Sequence, residues 1–191
     1  MCGRYTIFTE ADEAAMYKLL KAAREKYDNL DFKTGEIFPC DRVPVITAPA
    51  KSGVDILKWG FPLGDKPSSV IINARAESIE HKPMFSDAFR YRRCVIPSTG
   101  FYEWTRDRNK TKFYFRCEES IMLYMAGVWC EDHDSGHFAV ITTQANASMS
   151  EVHHRMPLIL SRNDLIPWMT DETFARIFLH REPPSLIKKA V

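Results

Sequence analysis

The second residue carries the most pointed chemistry in this chain, which begins Met1-Cys2-Gly3-Arg4-Tyr5-Thr6. Cysteine is small enough that an initiator methionine before it is ordinarily trimmed. Trimming leaves Cys2 with an α-amine and a thiol on adjacent carbons. Such a 1,2-aminothiol condenses with an aldehyde: the amine forms an imine, and the thiol closes on it to give a thiazolidine. An α-amine titrates near ~8, so a useful fraction is nucleophilic at neutral pH. The thiol needs only modest local charge to ionise. Cys2 is therefore an aldehyde trap or an N-terminal nucleophile, against the plainer alternative of a small buried residue.

Three downstream clusters could support that chemistry. In Asn73-Ala74-Arg75-Ala76-Glu77, a strand period of two puts Asn73, Arg75 and Glu77 on one face. That row lines a site or forms a solvated edge, and the small alanines between weaken the second reading. Glu103 stands between Tyr102 and Trp104. Apolar flanks raise a carboxyl pKa, and a raised carboxyl can carry protons near neutral pH; the alternative is a surface glutamate on an alternating strand. His153 and His154 are adjacent, so on a strand at most one faces a given site. No cysteine or histidine lies at ligand spacing from them. A proton shuttle is favoured over a metal site, and no metal or cofactor is expected. Thr142 and Thr143 offer hydroxyls to a phosphate. Arg4, Arg75 and Arg155 flank these clusters, and their convergence would make a local anion site. Trp59, before Gly60, can stack on a base or pack in the core.

The elements that must hold these groups read as a β-rich α+β domain. Thr9 and Asp12 look like the start of a helix running to about Tyr27. Short β-prone runs follow at 43–47, 55–61, 70–74, 94–96, 112–116, 122–129 and 138–143, with a further candidate at 156–160. Turn-forming stretches separate them, and 106–110 reads as a charged hairpin tip. Two short helices are predicted at 161–169 and 171–179, before Pro183-Pro184 breaks regularity. The expected architecture is a single domain, residues 1–191, with a curled antiparallel sheet or barrel-like core and a few flanking helices. A formal charge of +1 over 191 residues supplies no global field for nucleic acid. Five cysteines without a C-x-x-C pair point to free thiols in a reducing, cytoplasmic setting. No apolar run approaches the ~20 residues of a membrane span.

Taken together, Met-Cys-Gly-Arg, Trp-Gly-Phe-Pro (59–62), Asn-Ala-Arg-Ala-Glu-Ser (73–78), Arg-Arg-Cys-Val-Ile-Pro-Ser-Thr-Gly-Phe-Tyr-Glu-Trp (92–104) and His-His-Arg-Met-Pro (153–157) resemble the SRAP family of abasic-site processing proteins. The motifs follow in family order over nearly the whole chain. The resemblance implies a covalent link between Cys2 and the ring-opened aldehyde of an abasic site in single-stranded DNA, with associated lyase activity. It implies that Asn73 holds the opened sugar or Cys2, that Glu103 exchanges protons, and that His153 assists imine chemistry. Arg4, Arg75 and Thr142 would grip flanking phosphates, Trp59 would stack, and Pro39 would wedge at a strand–duplex junction. A monomer in the cytoplasm, nucleoid-associated in a bacterium, is expected. The loop at 64–69 is shorter than in many family members, which often carry another tryptophan there. Two other functions use the same residues. One is an N-terminal cysteine peptidase acting on its own N-terminus; the other is a non-catalytic module for single-stranded DNA.

Overall fold

The computed structural model describes residues 3–7, 14–27, 31–48, 53–64, 66–132 and 135–191. Cys2 and the expected helix start at Thr9 and Asp12 lie outside these residues. The described elements run β1 (Tyr5–Ile7), α1 (Ala14–Lys26), β2 (Gly35–Ile37), β3 (Arg42–Ile46), β4 (Val54–Trp59), β5 (Phe61–Leu63), β6 (Lys66–Ile71) and β7 (Asn73–Arg75). They continue through α2 (Pro83–Tyr91), β8 (Arg93–Ser98), β9 (Gly100–Trp104), β10 (Lys112–Arg116), β11 (Leu123–Asp132) and β12 (Ser135–Gln144). Last come β13 (Arg155–Pro157), β14 (Ile159–Leu160), α3 (Leu165–Thr170), α4 (Glu172–Phe178) and β15 (Ile187–Ala190).

Strands β12, β4, β3, β8 and β11 pair in that order, and β11 pairs back with β12, closing a five-stranded barrel. Closure removes the free edges that an open sheet would expose. Long β11 and β12 form its hairpin, and their far ends also hold β14, β13 and β7. Inside, Trp59 and Phe138 stack with centroids 6.3 Å apart, and Tyr5 meets Trp59 edge-on at 5.0 Å. All six residues of β8 are buried, because α2 and α3 cover the strand from outside.

A second sheet, in the order β15-β10-β9-β1-β2, carries the chain's first strand. The polypeptide crosses from barrel to second sheet at 98–100: Ser98 pairs with Leu123 on β11, while Gly100 pairs with Thr6 on β1. A Cβ at Gly100 would stand 2.5 Å from both the Phe115 carbonyl and the Tyr114 ring. Only glycine permits that approach. Beneath it, the Thr6 and Thr99 hydroxyls lie 2.8 Å apart, and the Tyr114 hydroxyl donates to the Thr99 carbonyl at 2.9 Å.

The sequence reading assigns nothing to α2 or β15. Pro83 presets the first turn of α2, and Phe85, Ala88 and Phe89 form its buried stripe. That stripe is only two turns long, too short to stand out as periodicity. Strand β15 exists because β10 offers an edge, pairing Phe113 with Ala190 and Arg116 with Ile187. The period-two row at 73–77 is also corrected. Strand β7 stops at Arg75, and a 3-10 turn over Ala76–Ser78 follows. Asn73 and Ala74 are therefore both buried, while Arg75 and Glu77 are exposed.

Candidate active site

The start of the chain is delivered to Glu103 by strand register. Tyr5 pairs with Phe101 and Thr6 with Gly100, and the Tyr102 N–H donates to the Arg4 carbonyl at 2.9 Å. Glu103 is the next residue of β9 after Tyr102. Glu103 itself is 6% exposed. Burial pushes its carboxyl above the ordinary range, opposed by the Trp104 N–H and the nearby Arg106 cation. The flanking aromatics foretold this direction, and the surface-glutamate alternative is excluded.

Arg106 links Glu103 to the histidine pair. Its guanidinium lies 3.2 Å from His153 Nε2. Because a guanidinium only donates, Nε2 accepts there and Nδ1 carries the ring proton, donating to the Arg155 carbonyl at 3.2 Å with the Arg155 amide nitrogen 3.0 Å away. His153 is 5% exposed. Burial lowers its pKa to about 4, helped by the Arg106 charge, so the imidazole is neutral at physiological pH. The turn before it is buttressed: Asn146 Nδ2 donates to the carbonyls of Pro183 and Pro184 at 2.8 and 3.1 Å.

Arg155 is buried and bidentate to Glu77, at 2.6 and 2.9 Å, and also donates to the Thr142 carbonyl. Its guanidinium holds the Glu77 carboxyl below the usual range. Cross-strand pairing aligns Asn73 with Val140 and Arg75 with Thr142 on β12. Together Arg75, Gln144, Ala145, Ser150, His154 and Arg155 line a cavity of about 410 Å³. Two of the three expected arginines thus converge on one anion-sized pocket, with exposed His154 on its wall and His153 turned inward beside it.

Other expected residues lie elsewhere. Arg4 approaches Glu36 at 3.7 Å, with its guanidinium 4.2 Å from the Phe38 ring centroid and 5.1 Å from that of Trp104. Pro39 is exposed on the turn between β2 and β3, where Cys40 adopts φ 72°. Trp59 is fully buried, and its indole N–H donates to the Ile72 carbonyl at 3.0 Å. It offers no face to a base; the stacking expectation gives way to its alternative, core packing. The Thr142 hydroxyl is buried too and donates to the Ala74 carbonyl at 3.3 Å, so it ties β12 to β7 rather than reaching a phosphate. Half-buried Phe38 and Trp104 are the aromatics nearer the surface. The sequence reading passed over Arg106 as part of a hairpin tip; only the tertiary contact with His153 singles it out.

Among the described residues no group of three or more His, Cys, Asp or Glu side chains is placed to hold a metal. Among the described residues, Cys40, Cys94 and Cys117 carry free thiols. Burial pushes the Cys94 thiol far up and the Cys117 thiol up, leaving neither as a ready nucleophile. No described helix is long and apolar enough to cross a membrane. A larger cavity, about 1080 Å³, lies over β14 and the segment after α4 and shares no residue with the arginine pocket.

The fold is thus a β-rich α+β domain with a buried carboxylic acid at Glu103, a buried histidine at His153 and a pocket lined by Arg75 and Arg155. The chain belongs to the SRAP family: the profile of SOS response associated peptidase (SRAP) matches residues 1–183. It is 31% identical over 189 residues to the abasic site processing protein YoqW of Bacillus subtilis, covering 88% of this chain and 80% of that protein. It is 29% identical over 198 residues to YoaM, an abasic site processing protein of the same organism, covering 94% and 83%. A crystal structure of a protein from Bacteroides thetaiotaomicron superposes with a TM-score of 0.80 at 24% identity, covering all of this chain and 92% of that one, and shares the fold.

Proposed function

We propose that this protein processes abasic sites in single-stranded DNA, capturing the ring-opened aldehyde on Cys2 once Met1 is removed. The amine of Cys2 attacks the aldehyde carbon, water leaves, and the thiol adds to the resulting imine to close a thiazolidine. Glu103, its carboxyl raised by burial, serves as the acid that assists ring opening and loss of water. His153, neutral, takes protons as the imine forms. If the imine is intercepted before the thiol closes, loss of a proton beside it permits β-elimination of the 3′ phosphate, which is the lyase reaction. Asn73 orients the opened sugar. Arg75 holds a flanking phosphate, Arg155 keeps Glu77 and β12 in place beside it, and Arg4 and Pro39 contact the strand on the β2 side. The protein acts as a monomer in the cytoplasm.

The observation that carries this reading is the strand register that pairs Tyr5 with Phe101 and bonds the Tyr102 N–H to the Arg4 carbonyl, running the start of the chain alongside the strand of buried Glu103. It is supported by relatives that bear the name abasic site processing protein. The test is intact-protein mass spectrometry after mixing protein, with its N-terminal cysteine verified by mass, with single-stranded DNA bearing one abasic site. A denaturation-resistant adduct absent from Cys2→Ala is expected. Absence of adduct together with absence of strand cleavage overturns the reading. The family description also carries the word peptidase. That activity would show in the same spectra as loss of Met1 from purified precursor, blocked by Cys2→Ala.

A further inference from the structure

We propose that Arg106 is a phosphate-responsive clamp: in the free protein it caps the Nε2 lone pair of His153, and on binding nucleic acid it transfers to a backbone phosphate and releases that nitrogen to accept a proton. The inference rests on the function proposed above and names a positioning residue within it.

The geometry behind it is specific. Arg106 sits at the start of the β9–β10 hairpin tip and is exposed, whereas His153 is buried. They meet through Nη2 and Nε2, 3.2 Å apart. A guanidinium has donors and no acceptor, so at that contact Nε2 must be the acceptor. While the contact lasts, Nε2 is occupied and cannot collect a proton from substrate. On the far side, Nδ1 is held by the backbone of Arg155, leaving Nε2 as the nitrogen able to face a reactant.

The same tip is equipped to meet phosphates. Arg106, Arg108 and Lys110 are all exposed, and among the described residues none of the three has a carboxylate within ion-pair distance. The single acid of the tip, Asp107, is engaged in shaping it: Oδ1 accepts from the Thr105 hydroxyl at 2.6 Å and from the Lys110 N–H at 3.1 Å. Three cations are thus held on a short turn beside the histidine. An anion exchanges readily for a neutral imidazole as the partner of a guanidinium, because a phosphate oxygen makes a charge-assisted, bidentate bond. The charged groups facing His153 among the described residues are Arg106, His154, at 4.5 Å between ring centroids, and Arg155 beyond it. Removing the Arg106 charge therefore raises the proton affinity of the ring, which is low in the free protein.

The test follows the ring resonances of His153 by NMR against pH, in wild type and Arg106→Gln. Each is measured alone and with an oligothymidylate that carries no abasic site. In the free protein, Arg106→Gln is expected to raise the His153 pKa by about one unit. Oligothymidylate is expected to raise it in wild type and to add little in the variant. Binding measured in parallel should lose about 0.7 from the slope of log K against log salt in Arg106→Gln, one phosphate contact on a single strand. A changed salt slope with an unmoved histidine would make Arg106 a plain phosphate contact and overturn the clamp. A moved histidine with an unchanged slope would make it a structural neighbour and overturn the phosphate response. If oligothymidylate fails to bind wild type at all, the clamp falls together with the single-strand reading. If it binds and no adduct forms on abasic DNA, the capture chemistry fails while the clamp is still judged by the titration.

Discussion

Replacing Arg93 with methionine should cost more stability than any catalytic substitution, although Arg93 lies in the motif that also carries Glu103. Its guanidinium is buried and spends its donors on carbonyls: Trp168 at 2.6 Å, Phe89 at 2.7 Å, Arg90 at 2.8 Å and Met169 at 3.3 Å. These carbonyls belong to the last turns of α2 and α3, where no intrahelical donor remains. The cation also opposes the negative ends of both helix dipoles. Methionine fills similar volume but leaves at least three short bonds unmade. At about 1–2 kcal/mol for each stranded carbonyl, less what is recovered by no longer burying a charge, the net cost is about 3 kcal/mol. With an m-value of about 2 kcal/mol/M in urea, the midpoint should fall by ~1.5 M at unchanged m. Arg93→Lys should lie between, since an ammonium reaches fewer carbonyls. Adduct formation per folded molecule should stay near wild type at low temperature. A midpoint for Arg93→Met within ~0.5 M of wild type would refute the claim that this arginine joins the helices to β8.

Glu103→Gln keeps shape and burial but cannot carry a proton, so single-turnover adduct formation should slow by about 10²–10⁴ with the thermal midpoint little changed; rate against pH should lose the limb assigned to the carboxyl. His153 makes stability pH-dependent: the unfolded imidazole takes up its proton near 6.5 and the folded one only near 4. Stability is therefore full above pH 6.5 and declines as pH falls toward 4, by on the order of 3 kcal/mol, and urea melts of His153→Gln should show a flatter acid limb. The Glu77–Arg155 pair should give a coupling of about 1 kcal/mol in a double-alanine cycle, modest because Glu77 is half exposed. That coupling should fade below the Glu77 carboxyl's lowered pKa, and a cycle additive at pH 7 would count against the pair. Gly100→Ala should destabilise by about 1–3 kcal/mol or more through overpacking against Phe115 and Tyr114, visible as a lower midpoint in thermal melts.

Much of the secondary structure was legible because it is local. The runs at 43–47, 94–96, 112–116 and 138–143 have strand composition and became β3, β8, β10 and β12. What escaped depends on partners distant in sequence. Strand β15 exists through β10, and β1 through β9 and β2. Glu103 and His153 could be nominated from their neighbours in sequence, but their common neighbour could not. Arg106 looks like any charge on a hairpin tip until the fold sets it against a histidine 47 residues away.

By itself, the sequence determined the residue types: a cysteine at position two, a carboxylate between aromatics, a histidine pair and three arginines, in the order that marks the family. These are matters of covalent identity and short-range pattern, which no fold is needed to read. The tertiary structure decided which of them share surroundings. It sent Trp59 and Thr142 into the core, turned Arg4 to Glu36 and Phe38, and gathered Arg75, His154 and Arg155 around one pocket. The physical reason is that burial and electrostatic environment are set by everything packed around a side chain. That packing comes from strands closed into a barrel across more than 100 residues, and no local pattern contains it.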